Sequence, residues 1–412
     1  MTAEVAIMNR IGVALAADSA LTIGGGKKTH SSADKLFQLS RSVGVMIYGN
    51  AVFLGVPWET IIKEYRRELG EGTFATVEEY AGDFLRFMSR NEMLFPKKNR
   101  DDGVLNLLWE IYDYIFRVIN RRLGSEDENL TPKESARIIE EVLGGLSKEI
   151  RKSRSFESVT DAAIVAIRKK FAKNIREIQA EFMEDFPVSV TARDKIQSIG
   201  IDLLRKYLIP EDSGIVFAGF GNREAMPSIH EYKIHGMVED ELRVINDLDV
   251  TASRSWGVFP FAQADEILSF AKGIHPDHHE QMRGSTDEFL DDVISSVLDI
   301  IQESGLVLPE AAKNQINSMV DKRIGKLFDD WVDMADAHGE PIVDMLESLP
   351  KYEMAFMAEA LVNLAKFRTS VTPVLDTVGG SIDVAIITRG DGFVWVKRKN
   401  YFDPLLNPRV DA

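Results

Sequence analysis

The chain has 412 residues, 45% of them hydrophobic, and sets 49 Lys and Arg against 65 Asp and Glu for a formal charge of −16. That balance argues against nucleic acid or an anionic membrane as the main partner, while the apolar content suffices for a large core. With no cysteine, disulfides, thiolate catalysis and cysteine-ligated zinc are excluded, and packing alone must hold the fold.

β-rich runs open the chain at Glu4 to Met8, Gly12 to Ala17, Leu36 to Arg41 and Val43 to Tyr48, broken by Gly24-Gly25-Gly26 and Asn50. The apolar start is interrupted by Glu4 and Arg10 and has no basic leader, so neither a signal peptide nor a membrane span is expected, and a cytoplasmic location is. From about Phe53 the period becomes helical, with segments at Thr76 to Met93, Gly103 to Leu123, Pro132 to Arg151, Val159 to Met183 and Thr191 to Tyr207. Strand patterns return at Gly214 to Gly219, Ser228 to His235, Leu242 to Leu248 and Ser253 to Pro260. Helices follow near Gln263 to Lys272, Asp287 to Glu303 and Glu310 to Asp336, with Ser285 and Glu288 as a capping box for the second. A helix over Tyr352 to Phe367 precedes two strands, Ile382 to Thr388 and Gly392 to Arg398, joined at Arg389-Gly390-Asp391.

This order is not the βαβ alternation of a doubly wound sheet; an α+β fold of two antiparallel sheets between helical layers suits it better. No repeat or linker marks separate domains, so one core is expected, in pieces at 2–56, 210–274 and 351–412. Residues 57–209 and 275–350 read as helical insertions, the first including core helices.

The chemistry concentrates at the amino end. Removal of Met1 would leave Thr2 first, and a threonine beside its own α-amine is a nucleophile with a built-in base. If the first hairpin turns around Arg10, Thr2 faces Asp18 across the pair. Lys35 supplies a cation that can pair with Asp18 and ease deprotonation of the Thr2 hydroxyl, and Gly49 lets the backbone approach a substrate carbonyl. Taken singly, each has an ordinary reading: Asp18 as a turn cap, Lys35 as a solvated strand end, Gly49 as a tight bend.

Gly12-Val-Ala-Leu-Ala-Ala-Asp18-Ser19, Thr22, Lys35-Leu-Phe-Gln-Leu and Gly44-Val-Met-Ile-Tyr-Gly49 resemble the start of proteasome β-subunits and their bacterial relatives, which belong to the N-terminal nucleophile (Ntn) hydrolases. Gly214 to Gly221 with Ser228 to His235 resembles the family's middle hairpin, and Asp376-Thr-Val-Gly-Gly-Ser381 its late catalytic segment. The resemblance implies a four-layer αββα sandwich and a threonine protease mechanism. Thr2 would be the nucleophile and its α-amine, with a reference pKa of about 7.7 to 8.0, the base. Lys35, oriented by Asp18, would hold the hydroxyl in a positive field, the Gly49 N–H would form the oxyanion hole, and Asp376 would bond near the amine. Thr22 would line the substrate cleft, where an extended peptide adds as a strand. No cofactor is required.

Two departures from the family stand out. Where a serine follows the late aspartate by three residues, this chain has Gly379, then Gly380, with Ser381 the nearest serine for supporting the amine; and Pro260 to Asp265 lacks the family's second serine. They motivate a second hypothesis, a catalytically silent structural or partner-binding relative. A third keeps the chemistry and makes the substrate a small-molecule amide. For the first, peptide or protein substrates, a homo-oligomer or ring and an unknown unfoldase are the expected partners.

Two further motifs are weighed as decoys. Gly24 to Thr29 resembles a phosphate loop, but Leu21 stands where the Walker spacing needs glycine. His275, His278, His279 and Glu280 resemble metal ligands, yet Pro276-Asp277 reads as a helix start.

Overall fold

A computed structural model describes residues 3–23, 28–30, 32–124, 131–183, 189–208, 213–253, 255–262, 264–372 and 379–400. The chain begins with strands β1 (Ala3–Met8), β2 (Gly12–Ala17), β3 (Leu21–Ile23), β4 (Lys28–His30), β5 (Leu36–Gln38), β6 (Val43–Gly49), β7 (Val52–Phe53) and β8 (Val56–Pro57). Helices α1 (Trp58–Leu69), α2 (Val77–Arg90), α3 (Lys97–Gly124), α4 (Pro132–Lys152), α5 (Asp161–Lys170), α6 (Ala172–Phe182) and α7 (Val190–Leu203) come next. Strands β9 (Ser213–Gly219), β10 (Ser228–Val238), β11 (Glu241–Thr251) and β12 (Gly257–Ala262) lead to helices α8 (Asp265–Lys272), α9 (Pro276–Glu303), α10 (Glu310–Glu347) and α11 (Lys351–Val371). Strands β13 (Asp383–Thr388) and β14 (Gly392–Lys397) end the described chain.

The contacts divide the chain into two compact units, and each holds one of the two large sheets. The first unit comprises residues 1–33, 252–386 and 394–412. Its sheet has the order β12-β1-β2-β13-β14, with β1 antiparallel to both neighbours. β1 and β2 are buried along their whole length, which is why they read as nearly continuous apolar runs rather than a two-residue alternation. Ala3, Val5, Ile7, Ala14 and Ala16 share a core with Met354, Ala358, Leu361 and Ala365 of α11; alanine on both surfaces lets helix and sheet approach closely.

The second unit comprises residues 34–251 and 387–393, with sheet order β11-β10-β9-β6-β5. Aromatic side chains fill the space between this sheet and α1 and α2: Trp58, Tyr65, Tyr80, Phe84 and Phe87 share a core with Ile215 and Phe217, and the Phe84 and Phe217 rings meet edge to face at 5.5 Å. Helices α3 to α7 close around a further core built on Leu108, Ile111, Tyr112, Leu143, Ile167 and Ile196, to which β10 and β11 contribute Val238 and Ile245.

Three sequence expectations are corrected. Pairing in the first hairpin is one residue out: Glu4 pairs with Ala17 and Met8 with Val13, so the register carries Ala3, and not Thr2, to the level of Asp18. The cause is Asn9, whose N–H donates to the Gly12 carbonyl while its side-chain oxygen accepts from the Ile11 and Gly12 N–H groups, centring the turn between Arg10 and Ile11. The helix assigned to Asp287–Glu303 starts at Pro276, so Ser285 and Glu288 lie within it and form no capping box. His275 caps it instead, accepting from the Asp277 N–H at 3.2 Å, with Pro276 at the first helical position. The segment from Val159 to Met183 is two helices; Phe171 leaves helical geometry at φ −100°, ψ 16° and buries its ring in the helical core.

Candidate active site

Of the residues singled out by sequence, Thr2 and Asp376 lie outside the described residues, and of Thr22 only the backbone is described, in β3 opposite Thr29. The others fall into two sets, one in each unit.

In the first unit Asp18 follows the end of β2 and is buried. Its Oδ1 accepts from the Ala3 N–H at 3.3 Å, and its Oδ2 accepts from the N–H groups of Ala20 at 3.2 Å and Gly379 at 2.9 Å. A buried carboxylate requires donors, and these N–H groups bring it backbone from three separate stretches of chain. The Asp18 N–H in turn donates to the Ala3 carbonyl at 3.2 Å, closing the hairpin at its open end. Ser19 adds a second tie: its N–H donates to the Gly379 carbonyl at 3.1 Å and its hydroxyl to the Ser381 carbonyl. Gly380 sits at φ +76°, a conformation that favours glycine, and its carbonyl accepts from the Lys366 ammonium at 2.9 Å. The structure therefore brings Asp18, Gly379, Gly380 and Ser381 together around the start of β1.

The hairpin is also fixed at its far end. The Asn9 amide donates to the Leu346 and Leu349 carbonyls at 2.8 and 2.9 Å, anchoring the turn to the end of α10 and the residues that follow it.

Sequence reasoning missed two participants. One is Ser19, whose signal is its place directly after Asp18, since a hydroxyl beside a buried carboxylate needs a partner of its own. Ala262, paired with Ala3 at the end of β12, has φ +60°, a left-handed conformation costing an alanine about 1 kcal/mol. Nothing in an alanine announces that geometry.

In the second unit Lys35 is buried immediately before β5, and its carbonyl accepts from the Ile47 N–H at 3.0 Å. Gly49 ends β6 on the same side of this strand pair, exposed and at φ +82°. A side chain there would be strained, so the position suits glycine on backbone grounds alone. Each of these two residues sits where its own strand pair can present it at a strand end, Lys35 with a buried stem and Gly49 with an accessible backbone.

A second polar cluster in this unit has the make-up of a serine hydrolase relay. The Ser228 hydroxyl lies 3.3 Å from His230 Nε2, and His230 Nδ1 lies 3.4 Å from Asp249 Oδ1. It is not a nucleophile, because Ser228 is fully buried and its hydroxyl donates to Glu224 Oε1 at 3.0 Å. Burial pushes the His230 imidazole below its usual pKa, against the opposing pull of Asp249, Glu78 and Glu224. In the unfolded chain it titrates near pH 6.5. Below that pH the unfolded state therefore binds more protons, and stability falls as pH drops toward the depressed folded value. The urea midpoint of His230→Gln is expected to lose that part of the wild-type fall between pH 7 and pH 5; identical slopes in the two proteins would show that His230 does not titrate differently on folding.

Among the described residues, no group of three or more His, Asp or Glu side chains is placed to hold a metal ion, and no helix is long and apolar enough to cross a membrane. His275 serves as a helix cap.

No family model and no curated protein matches the chain. Among solved structures it is similar to Anbu, in the form of a Gly-1 mutant from Hyphomicrobium sp. strain MC1, with 11% sequence identity over 99% of this chain and 91% of that chain at a TM-score of 0.28. A likeness at that level decides neither fold nor function, so the functional reading rests on the residues themselves.

Proposed function

We propose that the protein is a threonine-type N-terminal nucleophile hydrolase that cleaves amide bonds through Thr2 once Met1 has left. The observation that carries this reading is the buried Asp18 carboxylate, which takes the N–H groups of Ala3 and Gly379 and so ties the amino end to the glycine segment after Asp376. A terminal nucleophile needs a stationary main chain beneath it, since positioning accounts for much of the rate of such a reaction.

In this reading the Thr2 hydroxyl attacks the substrate carbonyl and the α-amine takes its proton. Lys35, oriented by Asp18, lowers the cost of the alkoxide, and the Gly49 N–H receives the charge that develops on the carbonyl oxygen. The amine then protonates the leaving nitrogen, and water releases the acyl group from Thr2. Asp376, Gly379, Gly380 and Ser381 surround the amine, and Thr22 lines the cleft. The fold is a four-layer αββα sandwich whose core is formed by residues 2–56, 210–274 and 351–412, with helical insertions between the pieces. Extended peptides are the substrate class, in a homo-oligomer or ring fed by an unfoldase.

A second reading, a silent relative with a structural role, is favoured by one observation. Where the family has a serine side chain near the amine, Gly379 has none, and its N–H is engaged by Asp18.

Intact mass after expression, followed by incubation with an electrophilic peptide probe, separates the two. The active reading expects a chain that starts at Thr2 and gains the mass of one probe, a gain absent from Thr2→Ala. Retention of Met1 overturns it, because the base would then be an amide nitrogen.

A further inference from the structure

Helix α11 carries apolar side chains on two sides, and the described residues cover one of them. Met354, Ala355, Ala358, Leu361, Val362 and Ala365 are buried in the core of the first unit. Facing outward, Tyr352, Phe356, Leu364, Phe367 and Val371 are 69%, 62%, 37%, 66% and 64% exposed. Their spacing of three, four or twice four residues keeps them in one stripe along the helix, with Ala360 filling the interval. A helix face that meets water is ordinarily polar, and a helix apolar all round is one covered all round. An exposed apolar stripe of this length, with Glu353, Asn363 and Ser370 as the polar residues on the same face, marks an interaction surface.

The stripe is complementary to itself. Laid antiparallel on a second copy about a two-fold axis between Leu361 and Val362, Tyr352 meets Val371, Phe356 meets Phe367, and the small Ala360 meets Asn363 at the centre of the crossing. The charges agree with that direction. Glu353 and Glu359 lie in the first half of the helix and Lys366 and Arg368 in the second, so an antiparallel partner sets acid beside base where a parallel one would set like beside like. Lys351, the first helical residue, lies beyond the stripe, opposite Thr372. Within its own chain Arg368 pairs with Glu266 at 2.9 Å, Glu359 with Lys397, and Lys366 with the Gly380 carbonyl; Arg368 remains 46% exposed and can still face a neighbour, and the charges set the direction of the pair more than its strength. The antiparallel helix dipoles add a small favourable contribution. A lipid surface is the poorer occupant, because a helix lying on a membrane carries a strongly basic polar face and this chain has a formal charge of −16.

We propose that the exposed face of α11 is a homodimer interface, occupied by α11 of a second copy in antiparallel register with Phe356 against the partner's Phe367. The inference is independent of any reading of the active site.

The test is sedimentation of the full chain at tens of micromolar, with wild type expected at twice the monomer mass. Phe356→Glu and Phe367→Lys are each expected to weaken the dimer at least about 100-fold and to run as monomers with unchanged far-UV circular dichroism. Mixed in equal amounts they are expected to recover the doubled mass, since glutamate then faces lysine at one contact and phenylalanine faces phenylalanine at the other. If either variant loses its fold, the Phe356→Gln and Phe367→Gln pair replaces it and must still weaken the dimer. A wild-type monomer overturns the proposal, whether or not it binds liposomes. A dimer indifferent to both substitutions, or a mixture of folded variants that stays monomeric, overturns it equally.

Discussion

Thr2→Ala is expected to abolish turnover of peptide amide substrates, lowering kcat by at least about 10⁴-fold while leaving the denaturation midpoint unchanged. If Thr2 is the nucleophile as proposed, its loss removes the covalent route altogether, and what survives is the residual rate from binding and charge stabilisation. The substitution removes a hydroxyl and a methyl group from the residue ahead of β1, and the bonds that hold the strand there are made by the backbone of Ala3. Thr2→Ser keeps the hydroxyl and is expected to retain activity within about 100-fold, with the loss falling on kcat rather than KM. Peptide hydrolysis that persists in a purified Thr2→Ala preparation at the wild-type rate would assign the chemistry elsewhere.

Asp18→Ala is expected to destabilise the protein by about 3 kcal/mol, measured by urea denaturation at pH 7. Asp18 accepts from the backbone N–H groups of Ala3, Ala20 and Gly379, and removal of this shared acceptor leaves buried donors unsatisfied, each at a cost of about 1 kcal/mol or more. Asp18→Asn separates structure from chemistry. Its single oxygen can still accept from Ala20 and Gly379 while its amino group faces the Ala3 N–H, so the stability loss is expected to be about half as large. If the carboxylate charge positions Lys35 for catalysis, kcat falls about 100-fold in a protein that remains folded. A folded Asp18→Asn protein with wild-type kcat would reduce Asp18 to a structural clamp.

The elements were legible where they follow local physics. Helical periodicity located α2, α4 and α11 to within a few residues, because each buries one regular stripe. The hairpin register was not, although its determinant is a single residue: Asn9 organises the turn through its own side chain, and placing the turn centre at Arg10 shifted every pairing by one. The false capping box at Ser285 has a similar origin, a short pattern that met its composition rule inside a helix already started at His275-Pro276. Nothing local could have revealed the bond from Gly379 to Asp18, which joins residues 361 positions apart. The same holds for Ala262, whose left-handed backbone is imposed by its place at the end of β12. Sequence thus supplied the candidate residues of the amino end, whereas the main-chain contacts that make it a rigid platform came only from the fold.

The hairpin register bears on how the amino terminus is made. β1 is pinned by Asn9 at the turn and by Asp18 at its open end, and it is buried along its length. A strand held in this way cannot slide, because a shift of one residue would exchange its two sides. It therefore works as a ruler: the position of Ala3 is fixed, and one residue of extended chain corresponds to about 3.3 Å. One residue left over from processing, or from a cloned tag, would carry the α-amine a full step away and leave an amide nitrogen in its place. On the proposed mechanism the strand meters the position of the α-amine, and a heterogeneous terminus would give a mixture of competent and inert molecules.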